Sequence, residues 1–123
     1  MADSSIVKKT GSFKDLLVWQ HSVTFAQHLY RLTAQLPSSE AYGLTSQLRR
    51  AAVSVPSNIA EGSKRGTRKD FKQFLYIASG SAAELETQLI IAREVYPRLA
   101  WDEAIEELTV IQKMLTAFIR TVH

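Results

Sequence analysis

The hydrophobic pattern along the chain has the period of an α-helix in four separate stretches. Apolar residues recur at alternating steps of three and four, which places them on one helix face. The third stretch is the clearest, with seven such residues in order: Phe71, Leu75, Ala78, Ala82, Leu85, Leu89 and Ala92. No alternating apolar run bounded by turn residues indicates a β-strand. The pattern therefore predicts an all-α protein.

Proline and glycine mark the boundaries between the four predicted helices. Pro37, the pair Gly62 and Gly66, and Pro97 divide the chain, and these residue types favour turns and helix ends. The helices are expected from about residue 15 to 35, from after residue 39 to about 61, from residue 68, and from about residue 102. Because short loops place long neighbouring helices antiparallel, the predicted architecture is an antiparallel up-down four-helix bundle.

Local signals add detail to the second and third helices. Ser38 and Ser39 are candidate N-caps of the second helix and Thr67 of the third, because a hydroxyl oxygen can accept from the free N–H groups of the first turn. Pro56 removes a backbone donor inside the second helix, which predicts a kink or two consecutive helices. Residues 78–83, ASGSAA, let another backbone approach closely, either within the bundle or between subunits.

Length and composition restrict the class of protein. The 123 residues suit one domain, and we divide the chain into a flexible amino-terminal tail, residues 1–12, and a bundle domain, residues 13–123. The absence of cysteine excludes a disulfide framework and a Cys-ligated metal site. Neither a signal peptide nor a membrane-spanning apolar stretch is evident. We therefore expect a cytoplasmic protein with no membrane contact.

Catalytic and metal-binding patterns are weak. His21 and His28 share a helix face, but no carboxylate stands one turn from either to complete a metal site. Four acidic residues begin the fourth helix, where they complement its dipole: Asp102, Glu103, Glu106 and Glu107. We therefore assign no catalytic residue, metal ligand or cofactor, and predict that the protein is not an enzyme. The competing hypothesis, a small all-α hydrolase, needs a divalent metal held by carboxylates on facing helices.

Positive charge is concentrated in the first 72 residues. The chain has 15 basic and 12 acidic side chains, of which residues 1–72 hold 11 and 5. Seven basic residues within residues 49–72 are candidate phosphate contacts: Arg49, Arg50, Lys64, Arg65, Arg68, Lys69 and Lys72. Tyr76 lies one turn beyond Lys72, and a cationic stripe with an aromatic ring beside it can bind phosphates and stack a base. The alternative interpretation is an ordinary solvated surface.

The second helix also carries a polar line on one face. Its members follow one another at steps of three and four: Gln47, Arg50, Ser54, Ser57 and Glu61. The line is either exposed to solvent or forms a polar seam that faces a neighbouring subunit or a ligand, and the sequence leaves both alternatives open.

Three segments of the chain resemble a known protein family. Residues 40–62 read EAYGLTSQLRRAAVSVPSNIAEG, residues 13–20 read FKDLLVWQ, and residues 74–89 read FLYIASGSAAELETQL. These segments, in this order and at this spacing, resemble the four-helix-bundle family of 23S rRNA intervening-sequence proteins. The resemblance covers about residues 13–118, and the last helix matches in pattern more than in letters.

The resemblance carries expectations about assembly and function. It implies a four-helix bundle that forms a ring-shaped homopentamer, so a second copy of the chain is the first expected partner. The family is also similar to the accessory variability determinant protein of diversity-generating retroelements, a basic pentamer that binds nucleic acid and its reverse transcriptase. The expected function is therefore a non-catalytic module that binds RNA or DNA. A scaffold that docks a partner enzyme such as a reverse transcriptase is the alternative.

Overall fold

The computed structural model describes residues 12–122, and these form four α-helices without a β-strand. The helices are α1 (Leu17–Thr33), α2 (Leu44–Ser63), α3 (Arg68–Val95) and α4 (Trp101–Thr121). Short 3-10 turns at Phe13–Asp15 and Ser38–Glu40 precede α1 and α2. The all-α fold class and the number of helices are confirmed. The predicted tail, residues 1–12, lies outside the described residues except for Ser12.

The four helices pack as an antiparallel bundle. Helix α1 packs against α2 and α4, and α3 packs against the same two helices, so α1 and α3 occupy opposite corners. Phe71 in the first turn of α3 meets Phe118 near the end of α4, with 5.8 Å between their ring centroids. The amino end of each helix therefore lies beside the carboxyl end of the next one.

The core contains the apolar residues that recur at steps of three and four along the helices. Six members of the α3 pattern are fully buried, with an exposed fraction of 0%: Leu75, Ala78, Ala82, Leu85, Leu89 and Ala92. Two residues of the ASGSAA run thus belong to the core, which fits close packing within the bundle. Gly80 and Ala83 of the same run are exposed. The run is therefore divided between the inside and the outside of α3.

Gly62 permits the close contact between α2 and α3. It is buried in the last turn of α2, and a Cβ atom at this position would lie 2.6 Å from Phe74 Cβ and 3.0 Å from Phe71 Cδ1. Near the middle of the same helix pair, the hydroxyl oxygens of Ser54 and Ser81 share a hydrogen bond of 2.9 Å. Gly62 thus serves helix packing as well as the nearby turn.

The structure confirms one of the predicted helix caps and contradicts the other. Thr67 caps α3 as predicted, because its Oγ1 accepts from the Asp70 backbone N–H at 3.1 Å. The N-cap predicted at Ser38 or Ser39 is wrong: α2 begins only at Leu44, whose N–H donates to Glu40 Oε1 at 3.1 Å. Of the two alternatives at Pro56, two consecutive helices is wrong, since α2 is one helix with Pro56 buried inside it.

A hydrogen bond joins the two loops at the Glu40 end of the bundle. The Tyr96 hydroxyl, after α3, donates to Glu40 Oε2 at 2.6 Å, before α2. Trp101 is fully buried and donates from Nε1 to the Tyr96 carbonyl oxygen at 2.8 Å. The hydrogen bond from Tyr96, followed by that from the Leu44 N–H, lowers the pKa of Glu40. The same bond to Glu40 raises the pKa of Tyr96.

We predict that Gly62→Ala lowers the free energy of unfolding by about 1–3 kcal/mol, because the added methyl group pushes α2 away from α3. The matched control is Gly66→Ala, since a Cβ atom there meets nothing within 4 Å. That change is expected to be neutral or to stabilise by up to about 1 kcal/mol. Urea unfolding followed by circular dichroism measures both, and equal stability of the two variants would contradict the close-contact role.

We predict that Tyr96→Phe lowers stability near neutral pH and that the deficit shrinks in acid. The folded-state pKa of Glu40 is lowered, so its stabilising contribution is complete above the ordinary value of 4.5. The contribution is lost as the pH falls through the lowered value. Urea midpoints between neutral pH and pH about 3 measure the difference from wild type. Tyr42→Phe is the control, because Tyr42 is fully exposed, and it is expected to follow the wild type throughout.

Candidate nucleic-acid interface

Five of the seven predicted phosphate contacts lie together at the turn between α2 and α3. We call this set the turn cluster: Lys64, Arg65, Arg68, Lys69 and Lys72. Helix α2 ends at Ser63 and α3 begins at Arg68, so only four residues separate the two helices. At the end of α2 the Lys64 N–H donates to the Glu61 carbonyl oxygen and the Arg65 N–H to the Gly62 carbonyl oxygen, and Thr67 caps α3. Both helix ends are therefore fixed beside the cluster.

The members of the turn cluster differ in how they are held. Arg65 Nη2 lies 2.8 Å from Glu61 Oε2, and its guanidinium carbon lies 4.7 Å from the centre of the Phe74 ring. The side chains of the other four cations make no hydrogen bond or ion pair within residues 12–122. Lys64, Arg68 and Lys69 are exposed, while Lys72 is half-buried. Arg65 is thus a positioned cation beside four cations that are available to an anion.

The bundle as a whole is electrically polarised along its length. The half that holds the turn cluster, residues 12–25, 54–81 and 112–122, has eight basic and three acidic side chains. The opposite half, residues 26–53 and 82–111, has five basic and eight acidic side chains. The charge difference between the two parts of the sequence is therefore also a difference between the two ends of the fold.

Arg49 is separated from the turn cluster and is engaged by α1. Its Nε donates to Thr33 Oγ1 at 2.9 Å and its Nη2 to the Tyr30 carbonyl oxygen at 3.1 Å. Its guanidinium carbon lies 4.5 Å from the centre of the Tyr30 ring. The half-buried side chain thereby ties α2 to a carbonyl group in the last turn of α1 that also accepts from the Ala34 N–H. This geometry gives Arg49 a structural role at the contact between α1 and α2.

Arg50 is also apart from the cluster and lines a polar groove between α2 and α3. At 1.5 Å per residue, it lies about 20 Å along the axis of α2 from Ser63. The groove has a volume of about 520 Å³, and Arg50 shares it with Tyr42, Gln47, Ser54 and Glu84 among others. An acidic side chain faces the same groove as the arginine. The seven predicted residues therefore occupy three places.

The members of the polar line of α2 differ in their exposure to solvent. Ser54 is half-buried, bonds to Ser81 of α3 and accepts a hydrogen bond from Asn58 Nδ2 at 3.0 Å. The other four members are exposed: Gln47, Arg50, Ser57 and Glu61. Within the described chain, four members of the line are thus uncovered, and Ser54 lies in the contact between α2 and α3.

The histidines and carboxylates form one cross-helix pair. His28 Nδ1 of α1 lies 2.9 Å from Glu107 Oε2 of α4, a contact that the sequence pattern does not reveal, because the residues are 79 positions apart. His21 is exposed, and His123 lies outside the described residues. No group of three or more metal-ligating side chains occurs within residues 12–122. In the same range, no helix has the length and apolar character needed to cross a membrane.

The exposed face of α3 carries a feature that the periodic pattern misses. Four large apolar side chains on this face are exposed and were assigned no role in the sequence: Ile77, Ile90, Ile91 and Val95. The periodic pattern of α3 contains only residues that face inward, so it does not include the apolar residues between its positions. The sequence does contain a signal for them, because α3 has these isoleucine and valine residues in addition to the seven apolar residues of its periodic pattern.

The sequence and the fold were compared with those of known proteins. The family model for 23S rRNA-intervening sequence proteins matches residues 14–117. The crystal structure of a protein with unknown function, from the S23 ribosomal protein family of Bacteroides thetaiotaomicron, is similar with a TM-score of 0.77 and 26% sequence identity. The similarity covers 85% of this chain and 96% of that one. No curated protein matches the sequence.

We predict that Arg49→Ala lowers the free energy of unfolding by about 1–3 kcal/mol, because it removes two hydrogen bonds and the contact with the Tyr30 ring. The adjacent change Arg50→Ala removes an exposed side chain without a partner in the described chain and is expected to stay within about 0.5 kcal/mol of wild type. Urea unfolding of the two variants measures the difference. An Arg49→Ala variant as stable as Arg50→Ala would refute the structural role of Arg49.

Proposed function

The chain belongs to the family of 23S rRNA-intervening sequence proteins, and from this premise we propose that it is a non-catalytic module that binds RNA or DNA. In this proposal it acts in the bacterial cytoplasm as an accessory component of a ribonucleoprotein. The turn cluster is the observation that carries the proposal. Residues 61–72 hold five basic and two acidic side chains, and one of the two acids is already paired with Arg65.

The turn cluster has the chemistry of a phosphate-binding surface. Lys64, Arg68 and Lys69 are exposed and have no carboxylate partner within the described chain, so a phosphate that binds them breaks no ion pair. The amino end of α3 adds partial positive charge at the same place. Tyr76 is 58% exposed on α3, one turn beyond Lys72, and offers a ring on which a base can stack. Phosphate contacts of this kind bind without regard to sequence.

Assembly into a homopentameric ring is the second part of the proposal. A single turn cluster contacts few phosphates and therefore binds weakly at physiological salt. Several copies on one ring raise the apparent affinity, because the second and later contacts form within the same complex. The family resemblance of the α1–α3 sequence supports this assembly, and the exposed apolar side chains of α3 provide surface for it.

The alternative role is a scaffold that docks a partner enzyme such as a reverse transcriptase. The polar groove of Arg50 and Glu84 favours it, because a surface with both signs of charge suits a protein better than a phosphate chain. A complex with such an enzyme that survives nuclease treatment would support this role.

We predict that replacing Arg68 and Lys69 together by glutamine weakens binding to RNA and DNA alike. Each lost phosphate contact lowers the magnitude of the log–log salt slope by about 0.7–0.9, so the pair lowers it by about 1.4–1.8 per bound protomer. Fluorescence anisotropy with labelled single strands and duplexes across a salt series measures both quantities.

The matched control replaces Arg98 and Lys113 by glutamine. It also removes one exposed arginine and one exposed lysine, but outside the turn cluster, and is expected to bind nearly as wild type. Equal loss in both variants would indicate a general charge effect and contradict the assignment of the site. A wild-type protein without salt-sensitive binding to either nucleic acid, or one that cleaves the RNA, would overturn the proposed function.

A further inference from the structure

The outward face of α3 exposes more large apolar surface than any other element described. Nine large hydrophobic side chains are exposed within residues 12–122, and five of them lie on α3. We call this set the α3 ridge: Tyr76, Ile77, Ile90, Ile91 and Val95. Their exposed fractions range from 40% to 58%. Large apolar side chains that are grouped on one helix face, unlike singly scattered ones, mark candidate contact surfaces.

The α3 ridge is a regular surface on the side of the helix away from the core. Ile77, Glu84 and Ile91 follow one another at steps of seven residues, which keeps them in one row along the helix. Gly80 lies beside this row with nothing within 4 Å of a Cβ position, so the middle of the ridge is low. From residue 76 to 95 the ridge is about 29 Å long. It is therefore a straight row with large apolar side chains at its two ends and Glu84 between them.

A second apolar surface lies between α1 and α2. It is a groove of about 470 Å³, and we call it the α1–α2 groove. Tyr30 and Val53 in its lining are 44% and 42% exposed. The lining residues are mostly apolar: Val23, Ala26, Gln27, Tyr30, Arg31, Val53 and Pro56. Together, the ridge and the groove account for seven of the nine exposed large hydrophobic side chains.

The two surfaces carry opposite charge. Arg31 is the charged residue in the lining of the α1–α2 groove, and no acidic residue lines it. The outward positions of α3 between residues 76 and 95 include Glu84 and Glu94, both exposed. The basic residue of this stretch, Arg93, is paired with Asp102 of α4 at 3.1 Å. Neither glutamate forms an ion pair within the described chain. An arginine beside the groove and two glutamates on the ridge suit contact between the surfaces.

One chain cannot fill its own groove with its own ridge. Because α1 and α3 occupy opposite corners of the bundle, the outward face of α3 points away from the α1–α2 groove. Each copy therefore offers one unfilled ridge and one unfilled groove. Contacts between two different surfaces of identical chains are head-to-tail, and they close into a ring when the rotation permits.

We propose that the α3 ridge from Ile77 to Val95 of one copy lies in the α1–α2 groove of a second copy, with Arg31 beside the glutamates of the ridge and with Tyr76 outside the contact. This inference rests on the oligomeric part of the proposed function and specifies the two surfaces that meet. It assigns Ile77, Ile90 and Ile91 as the apolar anchors on one side and Tyr30 and Val53 on the other. The turn cluster takes no part in the contact.

The test places a charge in each surface separately. Ile91→Arg alters the ridge, Val53→Arg alters the groove, and Val110→Arg is the control. Val110 on α4 is 50% exposed, the same as Ile91, and belongs to neither surface. Light scattering is expected to show the wild-type oligomer for the control and a single chain of 13.8 kDa for the other two. The dissociation constant rises at least about 100-fold, because an unpaired charge is buried.

Mixing the two altered proteins tests the head-to-tail pairing itself. Ile91→Arg retains an intact groove and Val53→Arg retains an intact ridge, so one contact remains between them. The mixture is therefore expected to form a dimer of twice the single-chain mass and nothing larger. Circular dichroism of each variant is expected to show that its helices are retained.

Three results with the altered proteins would overturn the inference. They are an Ile91→Arg protein of wild-type mass, a Val53→Arg protein of wild-type mass, and a mixture that stays at the mass of one chain. A wild-type protein that is itself a single chain, or whose ridge is covered only by a different protein, overturns it as well. Salt-sensitive nucleic-acid binding by a single chain would leave the proposed RNA or DNA binding intact, so the two failures are distinguishable.

Discussion

The close approach of α2 and α3 at Gly62 is the contact on which the arrangement of the candidate site depends. A side chain larger than hydrogen at this position would meet Phe74 and Phe71, so the two helices could not lie as close at the end where the chain turns. Their proximity gathers the cations of the four-residue turn and those of the first turns of α3. Mutual repulsion between them is limited by water and by Glu61 beside Arg65, because exposed charges are strongly screened.

The sequence predicts those parts of the fold that depend on local spacing. The seam from Leu75 to Ala92 is visible because every member lies three or four residues from the next, and Thr67 is visible because a cap acts on its own first turn. The bond between Tyr96 and Glu40 joins residues 56 positions apart. No local pattern encodes it, and the same holds for the contact of Arg49 with Thr33.

In the candidate site, too, the sequence predicts what depends on neighbouring residues and not what depends on distant ones. Five of the seven basic residues lie within nine positions of one another, so nearness in sequence becomes nearness in space. Arg49 and Arg50 are neighbours in the chain but lie on different sides of α2, and only the position of α1 decides that Arg49 is engaged. The periodic pattern does not predict the outward isoleucines of α3 for a different reason. It identifies the residues that a helix buries and not those that it exposes.

The unequal charge of the two ends gives the bundle a permanent electric dipole along its helices. In the electric field of a polyanion such a molecule is oriented before contact, with the turn cluster towards the polyanion. Fewer encounters therefore take place in an orientation that cannot bind. Rotation about a single symmetry axis preserves any component of the dipole along that axis. A cyclic assembly of this chain would therefore have two unlike faces, one that attracts a nucleic-acid strand and one that repels it.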